Sequence, residues 1–224
     1  MECRVAGLKD GSPSREGDLL VWRHFDAALS LRVLQLDGET TLQNDRHDET
    51  LYVIEGNGTA DGAPIGPDTG VDLPAGHALR LAGTMTLVSS SCPAEPLSRP
   101  ISIVRLEDRP VQTTGDRWYR ELIGRDIGGQ TTQFVGSIPP GRAPDHFHEY
   151  EEVICILRGS GVMWADTRAT PIAPGSCIFL PRRQVHCLEN RGDGELRLLG
   201  VFYPSGSPAV RYVKDRAEER PERG

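Results

Sequence analysis

The sequence between residues 145 and 152 is DHFHEYEE, which places two histidines and four carboxylates in eight consecutive positions. His146, His148 and Glu152 share one parity, and residues of one parity point to the same face of a β-strand. Histidines two residues apart in a strand lie about 7 Å apart at Cα, a span that one ion about 2.1 Å from each nitrogen can bridge. We therefore expect a strand through residues 146–152 to direct these three side chains inward together.

A further ligand has to come from elsewhere in the chain, because a single strand cannot surround an ion. Residues 175–190 have the sequence GSCIFLPRRQVHCLEN, in which His186 stands between Pro181 and Asn190. A lone histidine is more often a surface or core residue than a ligand, and a glutamate near a turn is usually solvated. The joint order and spacing of the two segments nevertheless favour a metal site.

These two segments resemble the two sequence motifs of the cupin family. Residues 141–159, GRAPDHFHEYEEVICILRG, match the first motif, with four residues between Gly141 and His146 where five are usual. Residues 175–190 match the second motif, with Arg183 where glycine is usual. The resemblance implies a small antiparallel jelly-roll barrel with a metal inside. It also implies that the metal ligands are His146, His148, Glu152 and His186.

The chain also contains an internal repeat. Residues 38–56, GETTLQNDRHDETLYVIEG, align without a gap on residues 141–159, an offset of 103 residues. Residues 64–74, PIGPDTGVDLP, align on residues 171–181, PIAPGSCIFLP, with an offset of 107. The extra residues follow a glycine turn, where a loop tolerates insertion. The repeat therefore indicates two copies of one β unit, and together with the resemblance it implies a bicupin.

We accordingly predict an all-β protein with two tandem cupin barrels. A Pro- and Ser-rich stretch, SSSCPAEPLSRP at residues 89–100, is typical of a linker. It predicts an N-terminal degenerate cupin domain over residues 1–98 and a C-terminal metal-binding domain over residues 99–224 that ends in a charged tail. Segments such as TLYVIEG and EVICILRG are apolar on both parities, which indicates strands covered on both faces, as where a barrel wall also packs on its neighbour.

The first copy lacks the ligand set of the second. The positions that align with the four ligands and with Asn190 hold, in order, Gln43, Asp45, Glu49, Leu79 and Gly83. His47 shares the parity of Asp45 and Glu49, which leaves a makeshift site conceivable, whereas His77 is two residues out of register. Without a fourth ligand, the first barrel is expected to be structural, covering the second barrel or forming a dimer surface.

Composition excludes several classes of partner. The net charge of −7 and the pI of about 5.4 disfavour nucleic acid, since phosphate binding needs a basic surface. No run approaches the roughly 18 apolar residues of a membrane span, and the N-terminus has no apolar signal-peptide core. The five cysteines form no CxxC pair, which favours free thiols in a reducing cytoplasm. We expect a cytoplasmic homodimer that acts on a small molecule.

The cysteines near the proposed site are expected to be small hydrophobic strand residues. They are Cys155, Cys177 and Cys187. Cys187 follows His186 directly and could form a copper thiolate. However, adjacent strand residues point to opposite faces, so the structural interpretation is favoured.

A site of three imidazoles and one carboxylate leaves coordination positions open for water, dioxygen or a bidentate substrate. The expected cofactor is one divalent transition metal per chain, Fe, Mn, Ni, Zn, Co or Cu, with Fe slightly favoured. The resemblance implies several activities: dioxygenases, decarboxylases, sugar isomerases, lyases and cyclases. A dioxygenase acting on an enol, diketone or phenol is slightly favoured, with Glu152 as the candidate catalytic residue. The alternatives are a metal-dependent isomerase or cyclase and a non-enzymatic small-molecule-binding cupin.

The lining of the site can be predicted from parity. Ile154 and Ile156 share the parity of Glu152, and Gln184 and Leu188 share that of His186, so a mostly apolar pocket is expected. Two aromatic residues, Trp164 and Tyr150, are candidates for the mouth, with core packing as the alternative for Trp164. Four arginines near the motif ends could bind a substrate carboxylate, although solvated surface positions are the more common role: Arg142, Arg158, Arg182 and Arg183.

Overall fold

A computed structural model describes residues 2–95, 99–127 and 129–210, and the charged tail after residue 213 lies outside these ranges. The described residues form nineteen β-strands and one short 3-10 helix, with no α-helix among them. They include no helix that is long and apolar enough to cross a membrane. The predicted all-β fold with two tandem barrels is confirmed.

The first nine strands contribute mainly to an eight-stranded antiparallel sheet that curls into the first barrel. Their bounds are β1 (Arg4–Gly7), β2 (Ser14–Glu16), β3 (Leu19–Phe25), β4 (Leu31–Gln43), β5 (His47–Ala60), β6 (Ala63–Ile65), β7 (Thr69–Leu73), β8 (Ala78–Pro93) and β9 (Ser102–Arg105). In this sheet the strand order is β2-β3-β4-β8-β5-β7-β9, and β6 pairs with β5.

The remaining elements build the second barrel from a seven-stranded and a four-stranded sheet. They are the 3-10 helix η1 (Leu106–Asp108), β10 (Gln112–Thr114), β11 (Arg117–Ile123), β12 (Thr132–Ile138), β13 (Gly141–Arg142), β14 (Glu151–Arg158), β15 (Gly161–Ala165), β16 (Arg168–Ile172), β17 (Ser176–Leu180), β18 (His186–Asn190) and β19 (Leu196–Tyr203). The sheet orders are β1-β17-β14-β19-β12-β11-β10 and β13-β18-β15-β16.

The barrels exchange one strand in each direction. The N-terminal strand β1 pairs with β17 of the second barrel, and β9 pairs with β7 of the first. The predicted division between residues 98 and 99 stays a prediction, and strand pairing crosses it on both sides. Each barrel therefore depends on backbone hydrogen bonds from the other half of the chain.

Strand β14 shows why the apolar runs have no alternation. Ile154 and Ile156 belong to the interior core of the second barrel. Val153 and Cys155 point the other way, into a core that also contains residues of the first barrel such as Tyr52. Both faces of the strand are buried, as predicted, because one lines a barrel and the other packs between the barrels.

The structure confirms the internal repeat in its strand pairing. Glu49 lies opposite Leu73, and Glu152 lies opposite Leu180 at the corresponding positions. Each strand then has a register shift, between Val53 and Glu55 in the first copy and between the matching residues 156 and 158 in the second. A glycine with φ near +80° follows each shift, at positions 56 and 159.

The gap-free alignment is wrong by one residue at the first ligand position. Leu42, and not Gln43, lies opposite Leu79 in the first barrel, whereas His146 bridges to His186 in the second. The second barrel has one more residue between Gly141 and this bridge than the first barrel has between its equivalent positions, so the register differs there.

A buried ion-pair cluster fixes the segment that connects the barrels. The Arg99 guanidinium lies 3.0 Å from an Asp48 carboxylate oxygen and 2.9 Å from an Asp72 oxygen. All three side chains are buried, and burial raises the pKa of Asp72 while its bonds to Arg99 partly offset that rise. Arg99 thus compensates two carboxylates that would otherwise be buried without a counter-charge.

We expect Arg99→Met to destabilise the protein by about 3–5 kcal/mol, because it leaves Asp48 and Asp72 buried without their cation. Urea denaturation at pH 7 measures the loss. Arg105→Met is the matched control, since that side chain is 54% exposed and its nearest carboxylate is 3.9 Å away. The control should change stability by less than about 0.5 kcal/mol. Equal stability of the two variants would contradict the assignment.

Candidate metal centre

The segment before β14 presents the first two histidines. The prediction that a regular strand carries His146 and His148 is wrong, because β14 begins only at Glu151. His146 instead forms an isolated antiparallel bridge with His186, with backbone hydrogen bonds of 2.8 and 3.0 Å in the two directions. This bridge holds the loop that bears His146 and His148 against the start of β18.

The three imidazoles converge as predicted, even though the segment is irregular. Among the described residues, His146, His148 and His186 are the one group of three histidine, cysteine or acidic side chains that could hold a metal, with ligand atoms within 4.8 Å of one another. The backbone also favours one tautomer at two of them. Nδ1 of His146 lies 2.9 Å from the Pro144 carbonyl, and Nδ1 of His186 lies 2.8 Å from the Gln184 carbonyl. Donation from Nδ1 leaves the Nε2 lone pair available for an ion.

Glu152 completes the cluster from β14. Its Oε2 atom lies 3.7 Å from Nε2 of His148 and 3.5 Å from Nε2 of His186. This oxygen is buried and has no hydrogen-bond partner among the described residues. Two atoms that share an ion at about 2.1 Å lie about 3.0–3.6 Å apart, so the spacing suits ligands of one metal better than a direct hydrogen bond. The donor set therefore fits a divalent transition metal.

The electrostatics of the cluster keep at least one imidazole neutral. Burial, together with a smaller effect of the neighbouring His186, lowers the pKa of His146 from 6.5 to about 3. A protonated imidazole cannot bind a metal. His146 is consequently ready to act as a ligand at neutral pH.

Aromatic packing supports the His148 ring from behind. Tyr150 stacks on it with ring centroids 4.8 Å apart and an interplanar angle of 12°. The Tyr150 hydroxyl donates to the Ser207 carbonyl at 3.0 Å, which ties the segment after β19 to the site. Tyr150 is not among the described residues that line the cavity, and neither is the other aromatic candidate for the mouth, Trp164. Its indole N–H donates to Glu189 at 2.8 Å on the outer side of the small sheet.

A cavity of about 90 Å³ adjoins the three histidines and Glu152. Its walls are largely apolar, as predicted, and include Ile154 and Leu188. Ile156 belongs to the barrel interior but not to this wall. The prediction for Gln184 is wrong, because it precedes β18 and its amide turns outward to donate to Asp166 at 2.6 Å. Strand parity does not extend into the turn before the strand.

Sequence reasoning missed the part of the wall that comes from β10 and β11. This hairpin has the sequence QTTGDRWYRELI over residues 112–123 and contributes Thr114, Arg117, Trp118 and Tyr119 to the cavity. The sequence feature that could have indicated this hairpin is the two-residue turn at residues 115–116, with alternating polar and aromatic residues after it. The four arginines proposed from sequence, Arg142, Arg158, Arg182 and Arg183, are not among the described lining residues.

The position of Arg183 explains the one substitution in the second motif. Its φ is +62°, in the left-handed region that favours the glycine usual there. The backbone N–H of Arg183 donates to the His148 carbonyl at 2.7 Å, and its guanidinium lies 2.9 Å from a Glu149 oxygen. These contacts hold Arg183 in a conformation that costs an L-residue about 1–2 kcal/mol.

In the first barrel an ion pair occupies the place of the metal cluster. Glu49, the counterpart of Glu152, lies 2.7 Å from Arg32 and accepts a hydrogen bond from Ser89. Leu79 is buried in the barrel core, whereas Gln43 and Asp45 are exposed. The aligned residues therefore do not converge, and Arg32 supplies the positive charge beside the buried carboxylate.

The cysteines are small buried strand residues, as predicted. Cys155, Cys177 and Cys187 are free and buried in β14, β17 and β18. Cys187 points away from the cavity, and its sulfur accepts a hydrogen bond from Arg142 at 3.2 Å. Burial is the main cause that raises the pKa of Cys187 to about 11, so it stays a thiol at neutral pH. This position excludes Cys187 from the ligand cluster.

Parts of the chain are similar in sequence to known proteins. Residues 134–202 match the family model described as Cupin domain. The chain is 30% identical over 101 residues to the protein SchB of Streptomyces halstedii, covering 43% of this chain and 73% of SchB. It is 36% identical over 67 residues to an oxalate-binding protein of Thermotoga maritima, covering 29% of this chain and 55% of that protein.

A solved structure supports the same fold. The oxalate decarboxylase of Bacillus subtilis, an enzyme with Mn(II) centres, superposes with a TM-score of 0.72 at 13% identity. The match covers 91% of this chain and 78% of that one. At this identity the likeness shows the fold alone.

The lowered pKa of His146 predicts a pH dependence in the metal-free protein. The unfolded chain takes up the proton near pH 6.5 and the folded site only near pH 3, so acid favours unfolding between these values. At pH 5 the loss attributable to His146 is about 2 kcal/mol relative to pH 7. We expect His146→Asn to flatten the stability profile between pH 7 and 5 in urea denaturation with EDTA. His77→Asn, in the first barrel, should leave the slope unchanged. A His146→Asn profile parallel to that of the parent protein would refute the prediction.

Proposed function

The chain belongs to the cupin family, and we propose that its second barrel is a metal-dependent enzyme site for a small organic molecule. In this proposal His146, His148, Glu152 and His186 hold one divalent transition metal. The reaction that we propose is the dioxygenation of an enol or diketone. The first barrel takes no direct part and supports the second through the core between them.

The observation on which this proposal rests is the buried Glu152 oxygen that faces two imidazole nitrogens at 3.5 and 3.7 Å. A carboxylate without a hydrogen-bond donor is expensive to bury, and a divalent ion would compensate its charge. Three imidazoles and one carboxylate also leave open positions on a metal that prefers five or six ligands. A substrate could enter those positions from the cavity.

Each residue of the site has a distinct task in this scheme. A metal bound there would act as a Lewis acid on substrate oxygens and exchange electrons with dioxygen. The Pro144 and Gln184 carbonyls hold the imidazole tautomers, and Tyr150 fixes the plane of His148. Glu152 is placed to take the proton from the enol. The apolar wall excludes water from the reacting atoms.

The volume of the cavity limits the size of the substrate, and its lining favours dioxygenation over isomerisation. Pockets for drug-sized ligands measure about 300–1,000 Å³, so a cavity of about 90 Å³ suits a substrate of few heavy atoms and disfavours a phenol. Among the described lining residues Glu152 is the one carboxylate, and none is a lysine. An isomerase or cyclase would need a second group for proton transfer, whereas oxidation of an enol needs one base at most.

The second candidate is a non-enzymatic binding protein for a small carboxylate. The 36% identity to an oxalate-binding protein over 67 residues favours it. The same four ligands would hold the metal, and the same cavity would receive the carboxylate. The difference is that the bound anion would leave unchanged.

Oxygen uptake distinguishes these candidates. We expect Fe(II)-loaded protein to consume dioxygen with a small β-diketone such as pentane-2,4-dione, because both substrate oxygens can reach open metal positions. An oxygen electrode with a screen of small enols and diketones measures this. Binding without uptake would favour the binding protein, and undiminished turnover in an anaerobic chamber would end the dioxygenase proposal in favour of an isomerase.

The role of Glu152 has its own test. Because the three histidine ligands remain, we expect Glu152→Gln to bind the metal with lower affinity, while turnover of the best substrate in that screen falls about 100-fold or more at saturating metal, since the amide cannot accept the proton. Metal content and turnover are measured on the same samples. Glu149→Gln, which alters an exposed carboxylate three residues away, should change neither. A parallel loss of metal and turnover in Glu152→Gln would show that Glu152 is a ligand only.

A further inference from the structure

A second and larger cavity lies between the two barrels. Its volume is about 920 Å³, against about 90 Å³ for the metal cavity. The first barrel contributes the turn at residues 64–69 to its wall, and the second half of the chain contributes η1 and residues of β11. Pockets for drug-sized ligands measure about 300–1,000 Å³ and often lie at domain interfaces. This cavity is therefore large enough for an organic ligand that the metal cavity is too small to hold.

Strand β11 presents two of its side chains to this larger cavity, Trp118 and Arg120. They share parity and lie on the face opposite to Tyr119, whose ring belongs to the interior core of the second barrel. Trp118 packs instead against the core between the barrels. Same-face neighbours in a strand lie about 7 Å apart at Cα. An indole ring and a guanidinium therefore border the cavity side by side.

Arg120 is a partly buried cation that forms no ion pair with a carboxylate of the described residues. Its Nη1 atom donates to the backbone carbonyls of Leu106, at 2.9 Å, and Glu107, at 3.3 Å. Carbonyl oxygens satisfy hydrogen bonds but do not cancel a charge. A charge that is withdrawn from water without a counter-charge is costly.

The acidic residues of this wall are paired with other arginines. Asp68 lies 2.8 Å from Arg197, and Glu107, which is 77% exposed, lies 3.9 Å from Arg105. The wall therefore has one more positive than negative side chain, although the chain as a whole has a net charge of −7. An anion in the cavity would supply the counter-charge that Arg120 lacks.

We propose that the cavity between the barrels binds an aromatic carboxylate, with its ring on Trp118 and its acid group at Arg120. Aromatic rings stack on an indole, and a carboxylate forms charge-assisted hydrogen bonds with a guanidinium. Ile65 and Val111 add apolar surface to the same wall. The site is separate from the three histidines and Glu152, so the proposal does not depend on the reaction at the metal.

The alternative is that Arg120 only fixes η1 through the two carbonyls. A structural role would change the affinity for charged and uncharged ligands alike, whereas an anion site would change the affinity for the charged ligand selectively. Two probes provide this comparison. 2-Naphthoate and 2-naphthamide have the same ring system, but only the first carries a negative charge.

The first test is an NMR titration of Zn(II)-loaded protein with 2-naphthoate, which follows the indole N–H signals of the three tryptophans. The Trp118 signal is the one that Trp118→Phe removes. We expect it to shift saturably, whereas the signal of Trp164 should not move, because that N–H donates to Glu189 on the outer side of the small sheet. No saturable shift of the Trp118 signal would overturn the proposal.

The second test measures the contribution of the charge. We expect Arg120→Met to weaken 2-naphthoate binding about 10- to 100-fold, the usual effect of removing a charge-assisted hydrogen bond. The affinity for 2-naphthamide should change less than about twofold. Arg120→Lys should recover part of the loss, because it keeps the charge. Arg80→Met removes an exposed guanidinium of the first barrel and is the control, which should bind both probes like the parent protein.

Two further variants locate the ligand. Because Trp118 also borders the metal cavity, His186→Ala is titrated as well and should retain the 2-naphthoate affinity. Trp118→Leu should remove the preference for 2-naphthoate over cyclohexanecarboxylate, which has the charge without the aromatic ring.

The outcomes are distinct. Unchanged 2-naphthoate affinity in Arg120→Met, or equal losses for 2-naphthoate and 2-naphthamide, would overturn the anion site, the second result in favour of a structural role. A preference for 2-naphthoate that survives Trp118→Leu would overturn the position of the ring. Loss of binding in His186→Ala would place the ligand at the metal and also overturn the proposal.

Discussion

The burial of the Glu152 carboxylate is the constraint on which the proposed site depends. Its side chain is 6% exposed, and one of its oxygens has no hydrogen-bond partner among the described residues. Such a group costs several kcal/mol unless a cation compensates it. The imidazoles at 3.5 and 3.7 Å complete a shell in which a divalent ion would provide that charge. The loop bridge, the carbonyls at Nδ1 and the stacked tyrosine all serve to hold this shell.

Each barrel buries a glutamate at the same position, and the two carboxylates have different surroundings. Glu49 and Glu152 occupy equivalent positions in the strand pairing, and both are buried. In the first barrel Arg32 lies directly against the carboxylate, and Leu79 fills the space of the missing histidine. The Glu49 carboxylate therefore already has its counter-charge, which belongs to a side chain. That the first barrel holds no metal stays a prediction.

Much of the fold and part of the site could be predicted from the sequence. The four proposed ligands could be named because their spacing follows a motif, and the structure brings them together in spite of an irregular loop. The apolar strands with no alternation indicated burial on both faces. These predictions concern local spacing and periodicity, which the sequence displays directly.

The remainder depends on tertiary contacts that have no local signature. Arg117 lines the cavity because β11 pairs with β12 in the seven-stranded sheet, and its distance in sequence from His146 gave no hint of this. The strand exchange through β1 and β9 likewise joins segments that are far apart in the chain. The expected inward position of Gln184 was wrong because the turn before β18 breaks the parity of the strand.

Metal content per chain is the most direct test of the central claim, that a metal belongs to the second barrel alone. Mass spectrometry of protein purified without oxygen measures it. We expect close to one transition metal per chain, abolished by His186→Ala and unchanged by His47→Ala in the first barrel. A content near two per chain that His47→Ala halves, or a content that His186→Ala leaves unchanged, would contradict it.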